Sequence, residues 1–554
     1  MAAIIGKAMN EKTDLVFVEK ARPVDYHGFS KLPLERIDIF RDLVQLRMVY
    51  YEDAFHPPLE IFNRIIYERY YEASSYEQRR KMLDLWNLPS LNSDLALRFL
   101  RKKEYNCKVI INLDSEFDLL CDYAKEMTYP IIALSTTFSP NWAFIGKQIR
   151  RIREEIQNAI FILGGAFVAE EVNTKGVESL EKPMRKYGIS YVLFAYNSEL
   201  DLLNTVKGIH NNNIVNVNNI AFFNNSKMFC TGETKWNPPQ LSLPLCSLNR
   251  INESPTKTET IQLRISSGCP FKCSFCTYPI LSKGYHKAPI ETLKSQLDML
   301  KQMNINSIVF VDDTPNVPMN RFIKILEILR DYNFRWYSFL RVQYMNDELV
   351  RLMKESGCDG VYIGIESAND SVLKNMNKKA RNIDYEKGIA ILKKYRITVF
   401  AAFIIGFPGE TPQSIQDTVE FIKKNAIDYY SLKEFWYSHQ SSIHQNREKY
   451  SLVGIGNEWK HSTMTSEEAS IQKRKIFEDI HNSVYIDSDT SLWYLLYLRD
   501  RGFDWNSIEE SNKIINKMMK QDNAGDFAKK ESLIDELERC LVKIELKNAE
   551  KKVG

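Results

Sequence analysis

Short apolar runs alternate with amphipathic stretches along most of this 554-residue chain. Ile261–Ser267, Ser307–Val311, Arg335–Phe339, Gly360–Ile365 and Val399–Ile405 are each too short for a helix, and segments of helical period such as 318–330 and 370–395 separate them. Such a βα series predicts a parallel barrel or partial barrel, with Tyr429–Tyr437 as its last strand. Polar residues collect where the runs end: Asp312-Asp313-Thr314, Arg341, Glu366-Ser367, and Gly406 opening Gly-Phe-Pro-Gly-Glu-Thr. In parallel barrels that end is the reaction face.

A second α/β pattern lies upstream. Lys81–Trp86, Lys108–Asn112, Ile131–Ser135, Ile160–Leu163 and Tyr191–Phe194 read as strands, with helical stretches at 94–101, 115–126 and 145–157 between them. They predict a five-stranded doubly wound, Rossmann-like domain. Aromatic and charged residues at helical spacing over 37–79 predict a helical prefix, 249–260 reads as a linker, and 467–483 and 507–546 read as helices. The expected α/β organisation is a helical N-terminal segment (1–75), the doubly wound domain (76–247), a partial (β/α)6 barrel (248–438) and a C-terminal helical region (439–554).

Composition sets outer bounds. A hydrophobic content of 44% supports sizeable cores, and a net charge of +3 implies no nucleic-acid partner. No apolar stretch approaches the ~20 residues of a membrane span. Nine cysteines and no secretory pattern over Met1–Asn10 point to reduced thiols in a cytoplasm.

Three of those thiols carry the chemistry. Cys269, Cys273 and Cys276 directly follow the first barrel strand, with no fourth Cys or His at zinc-knuckle spacing. Three thiolates can hold three corners of a cubane 4Fe-4S cluster and leave one iron open to bind a small molecule. The other cysteines are scattered, so a second cluster gains no support.

This CxxxCxxC spacing, with Phe275 before the third Cys, resembles the radical S-adenosylmethionine (SAM) superfamily. The resemblance implies that the open iron chelates SAM and that one electron, from an external flavodoxin- or ferredoxin-like donor, cleaves it to a 5′-deoxyadenosyl radical. It makes Cys269, Cys273 and Cys276 cluster ligands, and Phe275, Asp312, Asp313, Arg341, Glu366, Ser367 and Gly406 SAM contacts. The block order resembles the subgroup with an N-terminal cobalamin-binding-type domain, through Ser135-Thr136-Thr137, Gly164-Gly165 and Asn197-Ser198-Glu199. Ser135, Thr136, Gly164 and Gly165 are then expected at cobalamin.

Two departures bear on cobalamin. The chain lacks the Asp-x-His-x-x-Gly that supplies an axial histidine elsewhere, and Tyr196 stands where relatives carry glycine. The resemblance implies cobalamin-dependent methyl transfer to an unactivated carbon, or phosphorus, of a peptide or natural product. Cobalamin-independent peptide epimerisation or cross-linking and a non-catalytic iron–sulfur protein are the alternatives. Tyr437 and His461, in an aromatic stretch after the barrel, are the candidate acid–base residues.

Overall fold

The computed structural model describes residues 13–23, 46–66, 83–101, 103, 105–211, 213–214, 216–232, 237, 241, 260–486, 491–527 and 530–541. The chain divides into two compact units. One comprises Met1–Val24 with Ser74–Lys257, the other Asp25–Ala73 with Thr258–Gly554.

The first unit is built on seven strands: β1 (Leu15–Lys20), β2 (Cys107–Asn112), β3 (Ile131–Ser135), β4 (Ile160–Gly164), β5 (Tyr191–Leu193), β6 (Ile220–Asn224) and β7 (Lys227–Thr231). Their spatial order is β2-β1-β3-β4-β5-β6-β7; the first five are parallel and the last two form an antiparallel hairpin. The order 2-1-3-4-5 reverses direction between β1 and β3, which opens a crevice at the carboxyl ends of those two strands. Helices α1 (Leu91–Arg101), α2 (Phe117–Lys125), α3 (Trp142–Glu155), α4 (Ala166–Lys175) and α5 (Glu199–His210) supply the cover.

The doubly wound expectation holds, but its first strand was misplaced. Leu15–Lys20 is buried along its whole length at the heart of the sheet, so the prefix 1–75 is not helical throughout. The expected strand at Lys81–Trp86 is instead a turn, in which the Asp84 carboxylate accepts from the Trp86 amide at 3.0 Å and starts a single 3-10 turn, Leu85–Asn87. Asp competes with strand pairing by this local bond. Residues 81 and 82 lie outside the described residues, as do the expected linker up to 259, much of the prefix and the C-terminal tail. Within the prefix, Val49–Tyr51 and Ala54–His56 form a hairpin ahead of a helix, Pro58–Ile66.

The second unit carries a seven-stranded, all-parallel sheet in sequential order: β8 (Thr260–Leu263), β9 (Ser307–Phe310), β10 (Arg335–Leu340), β11 (Cys358–Glu366), β12 (Thr398–Ile405), β13 (Tyr429–Glu434) and a short β14 (Val484–Tyr485). Six strands alternate with helices as a partial barrel requires, including α6 (Ile290–Gln302), α7 (Met319–Tyr332), α8 (Asp347–Glu355), α9 (Asn382–Lys394) and α10 (Pro412–Asn425). β14 is an addition from the region expected to be helical. That region also holds an antiparallel three-stranded unit, Val453–Ile455, Glu458–His461 and Met464–Thr465, before α11 (Ser466–Asp479) and α12 (Trp505–Asn523).

Side chains on the two faces of the barrel sheet have opposite surroundings. Outward residues pack on helices: Trp336 edge-on to Phe322 of α7, and Phe403 to Phe421 of α10. Inward, Phe339, Tyr362 and Phe400 form a continuous aromatic row with centroids 5.1 and 5.0 Å apart. Trp505, at the start of α12, packs on Tyr337 and Tyr429 and donates to Asp359 at 3.1 Å, while Asp500 accepts from the Thr260 amide and hydroxyl. These groups floor the barrel at the amino ends of its strands.

Candidate active site

The cysteine loop begins where β8 ends, and glycine makes its first turn possible. Gly268 has φ +85°, and a Cβ there would stand 1.8 Å from the Gly284 carbonyl oxygen. The loop is then pinned on several sides. The Ser274 amide donates to the Met376 carbonyl at 2.8 Å and its hydroxyl to the Asn375 carbonyl at 2.9 Å, while its own carbonyl accepts from the Ile443 amide at 2.9 Å. Asn377 donates to the Lys272 carbonyl at 2.7 Å. Segments following β11 and β13 therefore hold a loop that follows β8.

Donors converge on the thiols. The Arg341 guanidinium lies 3.2 Å from Cys273 Sγ, donates to the Lys378 carbonyl at 3.0 Å and covers the Phe271 ring at 3.5 Å. Thr314 Oγ1 is 3.7 Å from Cys269 Sγ. Burial raises the Cys269 thiol and pushes Cys276 up to about 11. Thiols in such surroundings become thiolates when a cationic centre binds them. No group of three His, Cys, Asp or Glu among the described residues is arranged around a single metal ion. A cubane makes no such demand, because each thiolate binds a different iron.

The residues expected at SAM divide sharply. Asp312 is buried, and its carboxylate accepts from the Ile265 amide at 3.1 Å, the Ser266 amide and the Ser266 hydroxyl at 2.6 Å; it staples β9 to the approach to the cysteine loop. Burial raises it to about 6 despite those bonds. Ser367 Oγ accepts from the Asn369 amide at 3.2 Å, a local turn. Gly406 donates to Glu410 at 2.6 Å and accepts from His461 at 3.0 Å. Each of these three groups makes hydrogen bonds within the chain.

Asp313 and Glu366 are placed otherwise. Asp313 is open to solvent at the cleft although protein surrounds its carboxyl group, which faces Arg264 and Tyr278 and is raised by desolvation to about 6. Glu366 ends β11 at φ +68°, an uncommon conformation outside glycine, and meets Lys378 Nζ at 2.8 Å. Gly364 makes room for this pair: a Cβ there would stand 2.4 Å from Glu366 Oε1 and 3.2 Å from Lys378 Nζ. Phe275 lies edge-on to Phe407, with Lys378 Nζ 5.9 Å from its ring centre. Lys378 was not foreseen. It stands twelve residues after Glu366, beyond a short helix, Asp370–Asn375, and no spacing rule links the two.

The candidate acid–base residues also separate. His461 is buried and stacked on Trp459 at 5.1 Å; its Nε2 donates to the Gly406 carbonyl and its Nδ1 accepts from the Thr463 amide at 3.3 Å. With both nitrogens engaged and its pKa lowered by burial, it is a neutral fastener of the antiparallel unit. Tyr437 is buried with its hydroxyl 2.6 Å from His444 Nδ1.

In the first unit, the crevice between β1 and β3 is lined by Lys20, Ala21, Ser135, Thr136, Phe138, Ser139, Phe144 and Gln148. Ser135 faces it, whereas Thr136 donates to the Gly164 carbonyl through its amide at 2.7 Å and its hydroxyl at 3.0 Å. Gly165, at φ +121°, closes on the same loop, since a Cβ there would stand 2.9 Å from Thr137 Oγ1. Thr136 therefore ties the end of β3 to the end of β4, and Gly165 packs closely on the same loop. No histidine lines the crevice among the described residues.

Residues 263–422 match the radical SAM superfamily model, from the last residue of β8 into α10. The barrel segment is a radical SAM domain. The chain is 31% identical over 227 residues to an uncharacterised methyltransferase of Pyrococcus horikoshii (38% of this chain, 49% of the relative), and 29% identical over 203 residues to bacteriochlorophyllide d C-12(1)-methyltransferase of Chlorobaculum tepidum (35% and 43%). It thus spans less than half the length of these curated relatives. Among solved structures it resembles the radical SAM methyltransferase TsrM of Kitasatospora setae, determined with cobalamin and an iron–sulfur cluster bound, at TM-score 0.58 and 12% identity over 79% of this chain and 97% of that one. At that identity the likeness is one of fold.

Proposed function

We propose that this protein is a radical SAM enzyme, a methyltransferase that uses a 4Fe-4S cluster on Cys269, Cys273 and Cys276, SAM, and cobalamin in the crevice of the first unit. One observation carries the reading: three thiols on a pinned loop, two of them beside the Arg341 and Thr314 donors, at the mouth of an open parallel barrel. The cluster supplies the electron that splits SAM. Arg341 offsets thiolate charge from one side and fixes the loop through Phe271. Asp313 offers a carboxylate to the SAM ammonium, Glu366 one to the ribose hydroxyls, and Lys378 places a cation between Glu366 and Phe275.

For cobalamin the crevice offers Lys20, Ser135, Ser139 and Gln148 as polar groups and Phe138 and Phe144 as apolar wall. This donor set suits a large amide-rimmed ligand held without an axial imidazole. The second reading, radical chemistry on a peptide without cobalamin, is favoured by the hydrogen bonds of Thr136 to the Gly164 carbonyl and the close packing of Gly165 on the same loop. The substrate is a small molecule or peptide, and the electron comes from a separate carrier. No helix among the described residues is long and apolar enough to cross a membrane.

The test is anaerobic reconstitution of the full chain with iron and sulfide, with and without cobalamin, followed by analysis of SAM products under reduction. Cluster uptake with release of both 5′-deoxyadenosine and S-adenosylhomocysteine is expected when cobalamin is present. 5′-Deoxyadenosine alone selects the second reading, and no SAM cleavage at all refutes both.

A further inference from the structure

The solvent side of the cysteine loop carries a charge pattern that the SAM site does not use. Three segments meet there, the loop itself, 374–381 and 443–450, joined by the hydrogen bonds of Ser274, Asn377 and Ile443. Gly409 shows how closely the last two approach, because a Cβ on it would stand 2.5 Å from Asn375 Nδ2 and 3.7 Å from the Tyr450 ring. Lys449 Nζ in turn donates to the Tyr450 hydroxyl at 3.1 Å. Most of the charge that these segments show to solvent is positive. Lys272, Lys374, Lys379 and Lys449 are exposed, and no carboxylate lies within ion-pair reach of the first three among the described residues. The neighbouring acids are already matched: Glu366 with Lys378, Asp384 with Arg381, Glu448 beside Arg447 at 3.7 Å, and Asp370 Oδ1 accepting from the Asn382 amide. The excess of positive charge is thus local to the loop, in a chain whose net charge is only +3.

An aromatic centre accompanies the lysines. Tyr344, 37% exposed, ends a 3-10 turn, Val342–Tyr344, and stacks on Phe271 with ring centres 6.3 Å apart. Phe271 lies under the Arg341 guanidinium, which reaches Cys273. The turn is held against α9, since a Cβ on Gly388 would meet the Val342 carbonyl oxygen at 2.5 Å. Tyr344 and Phe271 therefore connect the surface to the cluster ligands through two stacked rings.

We infer that this face is the docking surface for the electron carrier, and that the carrier is a small acidic flavoprotein whose flavin edge meets Tyr344 and Phe271 while its carboxylates meet Lys272, Lys374 and Lys379. The planar, apolar edge of a flavin suits the aromatic centre. Unmatched charge around a redox centre steers an oppositely charged partner to it, and a small, largely electrostatic interface lets that partner leave again, as repeated delivery requires. One electron leaves the anionic flavin hydroquinone, which becomes the neutral semiquinone, and takes the cluster from its 2+ to its 1+ level; no bond or proton changes hands. The inference rests on the proposed cluster, and binding tests it apart from turnover.

The experiment is stopped-flow reduction of the reconstituted full-length protein by fully reduced flavodoxin, followed at the visible absorbance of the cluster, with calorimetric titration of oxidised flavodoxin alongside. The double variant K374E/K379E should lower the second-order rate constant by about tenfold or more at low ionic strength, and the gap should close at high salt. K182E/K186E, the same charge change on exposed lysines of the first unit, should leave the rate within about twofold of wild type. Photoreduced deazariboflavin, an uncharged donor, should reduce wild type and both variants equally. Equal flavodoxin rates in wild type and K374E/K379E, or no binding of flavodoxin to wild type, overturns the inference. So does a loss in K374E/K379E that deazariboflavin shares, which would place the damage in the cluster loop, or a lysine dependence seen with a ferredoxin and not with flavodoxin. Failure of cluster uptake, or SAM left intact by the deazariboflavin-reduced protein, counts against the proposed function, not this surface.

Discussion

The parallel strands of the two large sheets of this protein are covered differently. β1 is buried at all six positions, the mark of a strand covered on both faces, whereas β11 alternates buried and half-buried residues because one of its faces looks into the barrel interior. Strand ends follow suit. In the first unit Thr136 bonds to the Gly164 carbonyl, while at the barrel mouth Asp313 is exposed and Glu366 pairs with Lys378. Polar residues at the ends of parallel strands are therefore not equivalent: some close turns between strand ends, and others are exposed or pair across longer stretches of chain.

The contrast can be broken most completely at the cysteine loop. Cys273→Ser should reduce iron uptake and SAM cleavage to background while leaving the first unit folded, as measured by iron content, 5′-deoxyadenosine release and hydrogen exchange. Trp336→Ala, which empties the outward face of the barrel sheet, should cost about 3–5 kcal/mol in denaturant unfolding of that unit. Gly165→Ala, forced into contact with Thr137 at positive φ, should cost about 1–3 kcal/mol in the first unit and spare cluster content. Equal losses in both units would erase the distinction.

A further expected effect is a pH dependence. Burial raises Glu410 to about 8, its Oε2 accepts from the Gly406 amide, and its Oε1 is buried without a partner. The folded state holds a proton that the unfolded chain releases near the ordinary glutamate value, so this group's contribution to stability falls as pH rises from about 4.5 to about 8 and is level above that. Glu410→Gln should flatten that slope in thermal melts across the window, and an unchanged slope would locate its origin elsewhere.

Much of the barrel was legible because its information is local. Strand runs and the cysteine spacing each lie within a few residues, and the observed strands from β9 to β12 agree with the expected runs to within two residues at each end. β1 escaped because a strand buried on both faces lacks alternation, and its partner β2 begins 92 residues after Leu15. Lys378 escaped because its link to Glu366 crosses a helix. The backbone partners of Asp312, Ser367 and His461 were not legible in the sequence, because a sequence does not display which backbone groups come near a side chain.

Residue type and short-range spacing settled the chemistry this chain can attempt: three thiols, a glycine where no side chain fits, carboxylates and cations at the ends of strands. Folding decided which of those groups remain available to a ligand. Hydrogen-bond capacity is finite and mostly consumed by long-range backbone partners, so a side chain's freedom to act is a property of its surroundings.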